Sequence, residues 1–493
     1  MFLSTFKSLL TNYKTVLFSL VILPSLVFAG TTAQDLPDFG DSAGSVVSPE
    51  YERRLGQLFL KQIRYYSKLV TDPEVESYIQ SLGYQLASHS DNNEQPFSFY
   101  VIDNPTINAF AGPGGVIGMH TGVILNSENE SEVAAVMAHE IVHVTQRHLA
   151  RMFEEANRYS LPTAAAMIGA IVLAVANPEA GAAALAGISG LSAQNQINFT
   201  RANEEEADRI GMQLLVRAGY NPLSMPSFFE KLQRLSRYAE SGAPEFLRTH
   251  PLTTSRIADS IARAESYERK VYENTHSYEL IKKKLQVNSF KTPSEAAKQF
   301  RELLIISEAS EKDTMPIRYG LAYAYIGNND YALAKQQIDH LLKDNPDNAA
   351  YLLLAAKMET GQSNYNNAFK HYEKAYSLYP DYKPVVMNYT RALLDVKQAK
   401  PAREILKSYE RHHSHDLNSY TLLGQAEAML GNEIETAIIQ TEYYYLAGET
   451  KLAVDKLKFI KQQYKLDYYQ DQRVSARMDE LEYELELEKD IKL

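Results

Sequence analysis

The 493-residue chain contains neither cysteine nor tryptophan. Without cysteine it has no disulfide framework, and no lipid-modified cysteine can follow a leader. Runs of lysine and arginine longer than Lys282-Lys283-Lys284 are also missing, and the net charge is −11. Nonspecific binding to nucleic acid needs basic groups that displace counterions, so that role is excluded. Long apolar runs are scarce. The first, Thr15 to Phe28, follows Lys7 and Lys14, is interrupted by Pro24 and leads into Ala29. It is short for a membrane span and has the layout of a secretory leader over 1–29, cleaved near Ala29; the alternative is an anchor that stays uncut. The second, Leu161 to Leu191, is dense in Ala and Gly and broken at Asn177-Pro178-Glu179. Each half falls short of the roughly 18 apolar residues that a span requires, so the stretch reads as a buried or lid-like helical hairpin. No stable transmembrane span is expected once the leader is gone.

What is present begins with an ordinary globular composition, 45% apolar, over a length that suits two or three domains. The most informative stretch is Met137-Ala-His-Glu-Ile-Val-His143. Val133, Met137, Ile141 and Val144 form an apolar stripe at helical spacing, and Ser127 with Glu130 reads as a capping box. His139 and His143 are one helical turn apart, so both imidazoles leave one face and can grip one metal ion. Glu140, beside the first of them, is placed to take a proton from a metal-activated water. This is the H-E-x-x-H pattern of zinc proteases.

A second helix is expected from Asn203 to Ala218, stopped at Gly219-Tyr220-Asn221-Pro222. Glu204, Ala207, Asp208, Gly211 and Leu215 share one face of it. A catalytic zinc takes three protein ligands and leaves one position for water, and Glu204 completes a His, His, Glu set. Asp208, one turn further, is placed to accept the free ring N–H of a ligand histidine. Glu205 and Glu206 read as charges favoured by a helix N-terminus. His120 and His148 are off the ligand spacing and read as structural or surface residues.

Pro49 to about Ser90 reads as helix, Phe97 to Asp103 as strand, and Val116 to His120 and Val123 to Leu125 as weaker strands around the turn Gly112-Pro113-Gly114-Gly115. Beyond Lys270 a repeat emerges. Gly327, Tyr331, Ala334 and Pro346 recur as Gly361, Tyr365, Ala368 and Pro380, each displaced by 34 residues, and Ala402 follows Ala368 at the same interval. That period is the tetratricopeptide length, and such units stack into a solenoid because none buries its faces alone. The expected organisation is an N-terminal extension at 30–48, a catalytic domain at 49–270, a linker at 271–289, the array at 290–470 and a helical tail at 471–493. Many of the 33 tyrosines fit repeat packing, or a concave protein-binding face. His412, His413 and His415 read as a solvated loop.

His139-Glu-Ile-Val-His143 with Glu204-Glu-Glu-Ala-Asp208 resembles the M48 family of zinc metallopeptidases. Asn108-Ala-Phe-Ala-Gly-Pro-Gly-Gly115 and Thr249-His-Pro-Leu-Thr-Thr-Ser-Arg256 frame those motifs in the family's order. The resemblance implies an α+β, mostly helical chain, with a gluzincin-like domain around a small sheet and an all-α tetratricopeptide solenoid behind it. It implies one Zn2+ per subunit on His139, His143 and Glu204, with Glu140 as base. Asp208 then serves either as an acid or as a support for a ligand. Val116, Ile117, Gly118, Met119 and His120 become an edge strand that receives substrate as an added strand, where residues alone leave an ordinary hairpin equally open. His250, in an irregular segment before Pro251, becomes a regulatory fourth ligand, or else a residue that caps the cleft. Arg256 becomes a transition-state or structural charge. In some M48 branches the 161–191 stretch crosses a membrane. The branch with a leader and a repeat array works in the Gram-negative periplasm, on stalled or misassembled outer-membrane β-barrel proteins beside the barrel assembly machinery. Two function classes follow: an endopeptidase whose repeats choose substrate, and a chaperone or adaptor whose peptidase activity is latent or vestigial.

Overall fold

The computed structural model describes residues 49–91, 96–157, 193–238, 244–310, 313–413 and 416–490. The leader, the 30–48 extension, the Leu161–Leu191 stretch and His415 lie outside the described residues. Among the described residues no helix is long and apolar enough to cross a membrane.

The expected helix from Pro49 to Ser90 is two helices, α1 (Pro49–Tyr66) and α2 (Pro73–Ala87). They are separated because 68–70 pairs with a strand: the Val70 amide donates to Val101 O and the Asp103 amide to Lys68 O, at 2.8 and 2.7 Å. Asp72 then caps α2, accepting from the Glu74 and Val75 amides, with Pro73 in the first turn.

The sheet has three strands, β1 (Ser98–Ile102), β2 (Ala109–Ala111) and β3 (Val116–His120), in the order β1-β3-β2. β1 runs parallel to β3, pairing Ser98 with Val116, and β2 runs antiparallel, pairing Ala109 with Met119. Val116–His120 is therefore the central strand, buried throughout, and the expectation that it forms the substrate edge is wrong. Both its ladders are taken, so it has no backbone groups left for a substrate. The free edge belongs to β2. Bonds from Gly112 N to Val116 O and from His120 N to Asn108 O flank the pair Phe110 and Gly118. By antiparallel alternation this turns the N–H and C=O of Ala109 and Ala111 away from the sheet. The weak strand expected at Val123–Leu125 belongs to a short helix, α3 (Thr121–Asn126).

Helix α4 (Glu130–Thr145) carries the H-E-x-x-H segment and runs through the middle of the domain, buried on nearly every side. Its cap is Asn129, which accepts from the Glu132 amide at 3.0 Å; Ser127 instead donates its hydroxyl to Val123 O. A kink at Arg147, φ +53, separates α4 from α5 (His148–Asn157). Helix α6 (Ala193–Arg217) packs along α4 and closes at Gly219, whose φ of +88 lets the Tyr220 amide reach Leu215 O. Helices α7 (Ser224–Tyr238) and α8 (Thr254–Glu265) complete the shell.

Within 271–289, expected as a linker, His276–Ser289 forms α9. Its Tyr278, Ile281 and Leu285 enter the catalytic core, and its Leu280 and Val287 enter the first core of the array. Behind it, paired helices follow, among them Met315–Gly327 with Tyr331–Asp344 and Ala349–Gly361 with Tyr365–Leu378. Ala334, Ala368 and Ala402 are fully buried where helices cross. Left-handed residues recur at Asn329, Ser363, Lys397 and Gly431, every 34 residues, between the two helices of each unit. Helix Tyr468–Asp490 packs on Thr450–Gln463 through Val474 and Leu481, so the expected tail extends the array. The array holds α2 by charge. Lys284 of α9 lies 2.7 Å from Asp72 and also pairs with Glu74, while Lys383 lies 2.8 Å from Glu76 and 2.6 Å from Asp416.

Candidate metal centre

Among the described residues one group of potential ligands converges: His139, His143, Glu204 and His250, with one donor atom of each within 4.8 Å of all the others. Helical spacing on α4 brings the two histidine Nε2 atoms to 3.0 Å. Glu204 reaches them from α6, with Oε2 3.4 Å from His139 Nε2 and Oε1 3.4 Å from His143 Nε2. His250 ends a short turn, Phe246–Thr249, with its ring stacked on Phe246 at 4.6 Å. Its Nδ1 is 2.9 Å from Glu204 Oε1 and 3.3 Å from His139 Nε2. Donors about 2.1 Å from a tetrahedral centre stand about 3.4 Å apart, so these separations suit four donors around one small cation.

The electrostatics point the same way. Glu140, Glu204 and Asp208 are all buried, and Arg256 is the permanent cation beside them. Burial works to lower His139, yet its hydrogen bonds to Asp208 and Glu204 carry it up to about 10, a measure of how strongly the pocket favours positive charge. Burial drives His143 the other way, well below its usual value, leaving the neutral ring a ligand needs. Glu204 is held well below the carboxylate range because His250, His139 and His143 outweigh its desolvation. Burial raises Glu140, the state suited to a base that must also release its proton. Both Glu140 oxygens are buried and lack a hydrogen bond of good geometry, with His250 Nε2 3.5 Å from Oε1 and the Ala111 amide facing the carboxylate. A fully buried carboxylate left in that state is costly in a purely structural cluster and expected beside a cation and its water. The residues fit a metal.

Asp208 Oδ1 lies 3.1 Å from His139 Nδ1, and Arg256 grips both Asp208 oxygens, Nε to Oδ2 at 2.7 Å and Nη2 to Oδ1 at 2.8 Å. Despite burial, those partners keep the Asp208 carboxyl ionised. The third Arg256 nitrogen, Nη1, is 2.9 Å from Glu204 Oε2, so one guanidinium braces two carboxylates of the site.

One expectation needs correction. Glu205 and Glu206 do not open a helix, because α6 begins at Ala193; Glu206 instead bonds His148 at 3.1 Å and Arg151 at 2.9 Å. Those partners outweigh partial burial and hold its carboxyl at about 2. His148, expected as structural or surface, is structural, with partners the sequence does not show. It is buried, with Nδ1 2.9 Å from His143 Nδ1. Nothing in the local pattern announces this, since the contact depends on the kink at Arg147. His120 is structural as expected, its Nδ1 2.9 Å from Thr106 Oγ1. His413 stacks on Tyr409 at 4.2 Å and joins no ligand cluster.

The crevice beside His139 has only about 10 Å³ of free space. A far larger cavity, about 490 Å³, opens between α2, α9 and the array, lined by Tyr78, Tyr220, His276, Asn345, Tyr379 and Tyr382 among others. It has no part in the chemistry of the cluster, and its tyrosines and amides suit contact with polypeptide.

The profile of peptidase family M48 matches residues 73–264, and a tetratricopeptide repeat profile matches 291–358 and 360–426. A beta-barrel assembly-enhancing protease of Escherichia coli K12 is 38% identical over 453 residues, 91% of this chain and 92% of that protein. Its namesake in Yersinia pestis is 34% identical over 450 residues, again 91% and 92%. A mitochondrial metalloendopeptidase of Arabidopsis thaliana is 32% identical over 152 residues, 31% of this chain and 28% of that one. A mostly helical catalytic domain, a buried cluster fit for a metal, a repeat array and likeness over nearly the whole length lead to one conclusion: the chain belongs to the M48 metalloendopeptidases, within the family of beta-barrel assembly-enhancing proteases.

Proposed function

We propose that this metalloendopeptidase holds one zinc ion through His139, His143 and Glu204 and works in the Gram-negative periplasm on unfolded or stalled outer-membrane β-barrel proteins, beside the barrel assembly machinery. The observation that carries the chemistry is the convergence of those donors in one buried cluster, whose fourth member, His250, lies 3.5 Å from the Glu140 carboxylate. The biological setting rests on the names and extent of the relatives and on the leader-like N-terminus.

When bound, the zinc ion supplies Lewis acidity and a water acidified to near neutrality. Glu140 takes the proton as the peptide carbonyl is attacked and delivers it to the leaving amine. Asp208 fixes the His139 tautomer and Arg256 steadies Asp208 and Glu204; with both oxygens engaged, Asp208 serves as a support in preference to an acid. Substrate enters as an added strand on β2, whose Ala111 amide faces Glu140. His250 would offer the bound ion a fourth donor at rest and would have to swing out for turnover. Its location in a turn before Pro251 leaves it freer to move than the ligands on α4 and α6.

Zinc content and casein cleavage test this reading. Glu140→Gln keeps zinc and loses turnover, Glu204→Gln loses zinc, and His250→Ala keeps zinc with raised basal cleavage. A Glu204 variant with full zinc and activity would remove it from the ligand set. An inactive His250→Ala protein would remove the switch. The closed fourth position also favours a second reading, a chaperone with latent peptidase activity; Glu140→Gln separates the two, since only the chaperone still protects barrel precursors from aggregation.

A further inference from the structure

Each ligand histidine has a second ring nitrogen, and the two are held in different ways. His139 Nδ1 faces a carboxylate directly, Asp208 Oδ1 at 3.1 Å. His143 Nδ1 faces another imidazole, His148 Nδ1 at 2.9 Å, with the rings edge to face at 4.8 Å. His148 Nε2 continues to Glu206 Oε2 at 3.1 Å, and Arg151 Nη1 meets the same oxygen at 2.9 Å. We propose that His148 is a positioning residue for His143, passing orientation to it along a one-way chain of hydrogen bonds that ends on Glu206 and Arg151. The inference rests on His143 being a zinc ligand, as above.

The direction of the chain follows from what each atom can do. A carboxylate clasped by Arg151 only accepts, so His148 Nε2 carries the hydrogen. In the neutral ring His148 Nδ1 is then a bare lone pair and accepts from His143 Nδ1–H. That leaves the lone pair of His143 on Nε2, the atom 3.0 Å from His139 Nε2 and 3.4 Å from Glu204. One set of tautomers satisfies every contact, and it is the set that zinc ligation requires.

The backbone is shaped for this contact. Five residues along an unbroken helix would carry His148 about 140° round from His143, off its face. The left-handed residue Arg147, φ +53, ends α4 and lets α5 start again at His148, which turns its ring back under the ligand. That conformation is unfavourable for a residue with a Cβ, and Arg147 is further held near Glu52, 3.6 Å away. His148 is 4% exposed, so water does not compete for its nitrogens.

The test is a zinc competition titration of the full chain against a chromogenic chelator. His148→Phe keeps the ring and removes both nitrogens; zinc affinity is expected to fall about 10- to 100-fold, with the melting temperature of the zinc-free protein unchanged. His148→Asn, whose amide oxygen can replace the accepting nitrogen, should recover most of that loss. Glu206→Gln should give a smaller loss alone and none in the His148→Phe background, because the chain is already cut. Wild-type affinity in His148→Phe overturns the proposal, as do equal losses in the Phe and Asn variants or a Glu206 loss that multiplies in full. Should His148→Phe not fold, undiminished affinity in Glu206→Gln overturns it and a loss there, with near wild-type binding by His148→Asn, sustains it. His143→Ala is the control for the ligand set: if zinc binding survives it, the assignment of His143 fails, and the relay with it, in a way distinct from a failure of the relay alone.

Discussion

Among the places where the described residues draw charge away from water, two are built differently. At the junction of α2 with the array, Asp72 and Glu74 face Lys284, and Glu76 and Asp416 face Lys383. Each carboxylate there has an ammonium within reach. In the metal centre Glu204 and Asp208 share one guanidinium, and Glu140 has no permanent cation, only His250 Nε2 at 3.5 Å. Where every carboxylate has an ammonium within reach, the charges hold elements together; where one lacks a permanent cation, as Glu140 does, an ion can take that place. Buried clusters can therefore be sorted by this pairing before any motif is consulted.

The sharpest contrast between them is in turnover. Glu140→Gln should lower casein cleavage by about 10²- to 10⁴-fold with metal content and unfolding midpoint intact, whereas no single change at the junction should touch the chemical step. Lys284→Met should do the reverse. It strands two carboxylates under the array, and urea denaturation should show a loss of about 3–5 kcal/mol while zinc affinity stays constant. Pairing it with Asp72→Asn and Glu74→Gln should restore much of that stability, and a Lys284→Met chain as stable as wild type would erase the contrast. Chelation comes next: at zinc about 100-fold above its dissociation constant, removal should cost about 2.7 kcal/mol, read as a lower melting temperature, and the Glu204→Gln chain should not respond. The smallest effect is expected far from either cluster, at Tyr331, whose hydroxyl donates to Gly361 O at 3.0 Å. Tyr331→Phe should cost about 0.5 kcal/mol by the same denaturation.

What could be read before folding is what repeats or recurs along the chain. His139, His143 and Glu140 declare themselves through one turn of helix, Glu204 and Asp208 through one turn of another, and the array through Ala334, Ala368 and Ala402. What could not be read depends on partners distant in sequence. Strand order is such a property: Val116–His120 reads as an edge, and Ala109–Ala111 is not read as a strand, until both ladders of β3 are seen to be filled. His148 is hidden by a left-handed arginine, a residue type that gives no local warning of a break. The charges of Glu205 and Glu206 misled because the helix extends ten residues upstream of Asn203, to Ala193. Helix α9 passed for a linker because its apolar positions face two cores, so no single stripe forms.

That double allegiance of α9 reaches beyond folding pattern into heredity and engineering. Tyr278, Ile281 and Leu285 are one domain's interior while Leu280 and Val287 are another's, all within three turns. A recombination point or a truncation placed anywhere in 276–289 cuts two hydrophobic interiors at once, so neither half is expected to persist as a soluble piece. An exchange of arrays between such proteases has to carry α9 together with both of its neighbouring surfaces. The enzyme and its repeats are thus inherited as a single cooperative unit, although the chain reads as two modules in a row.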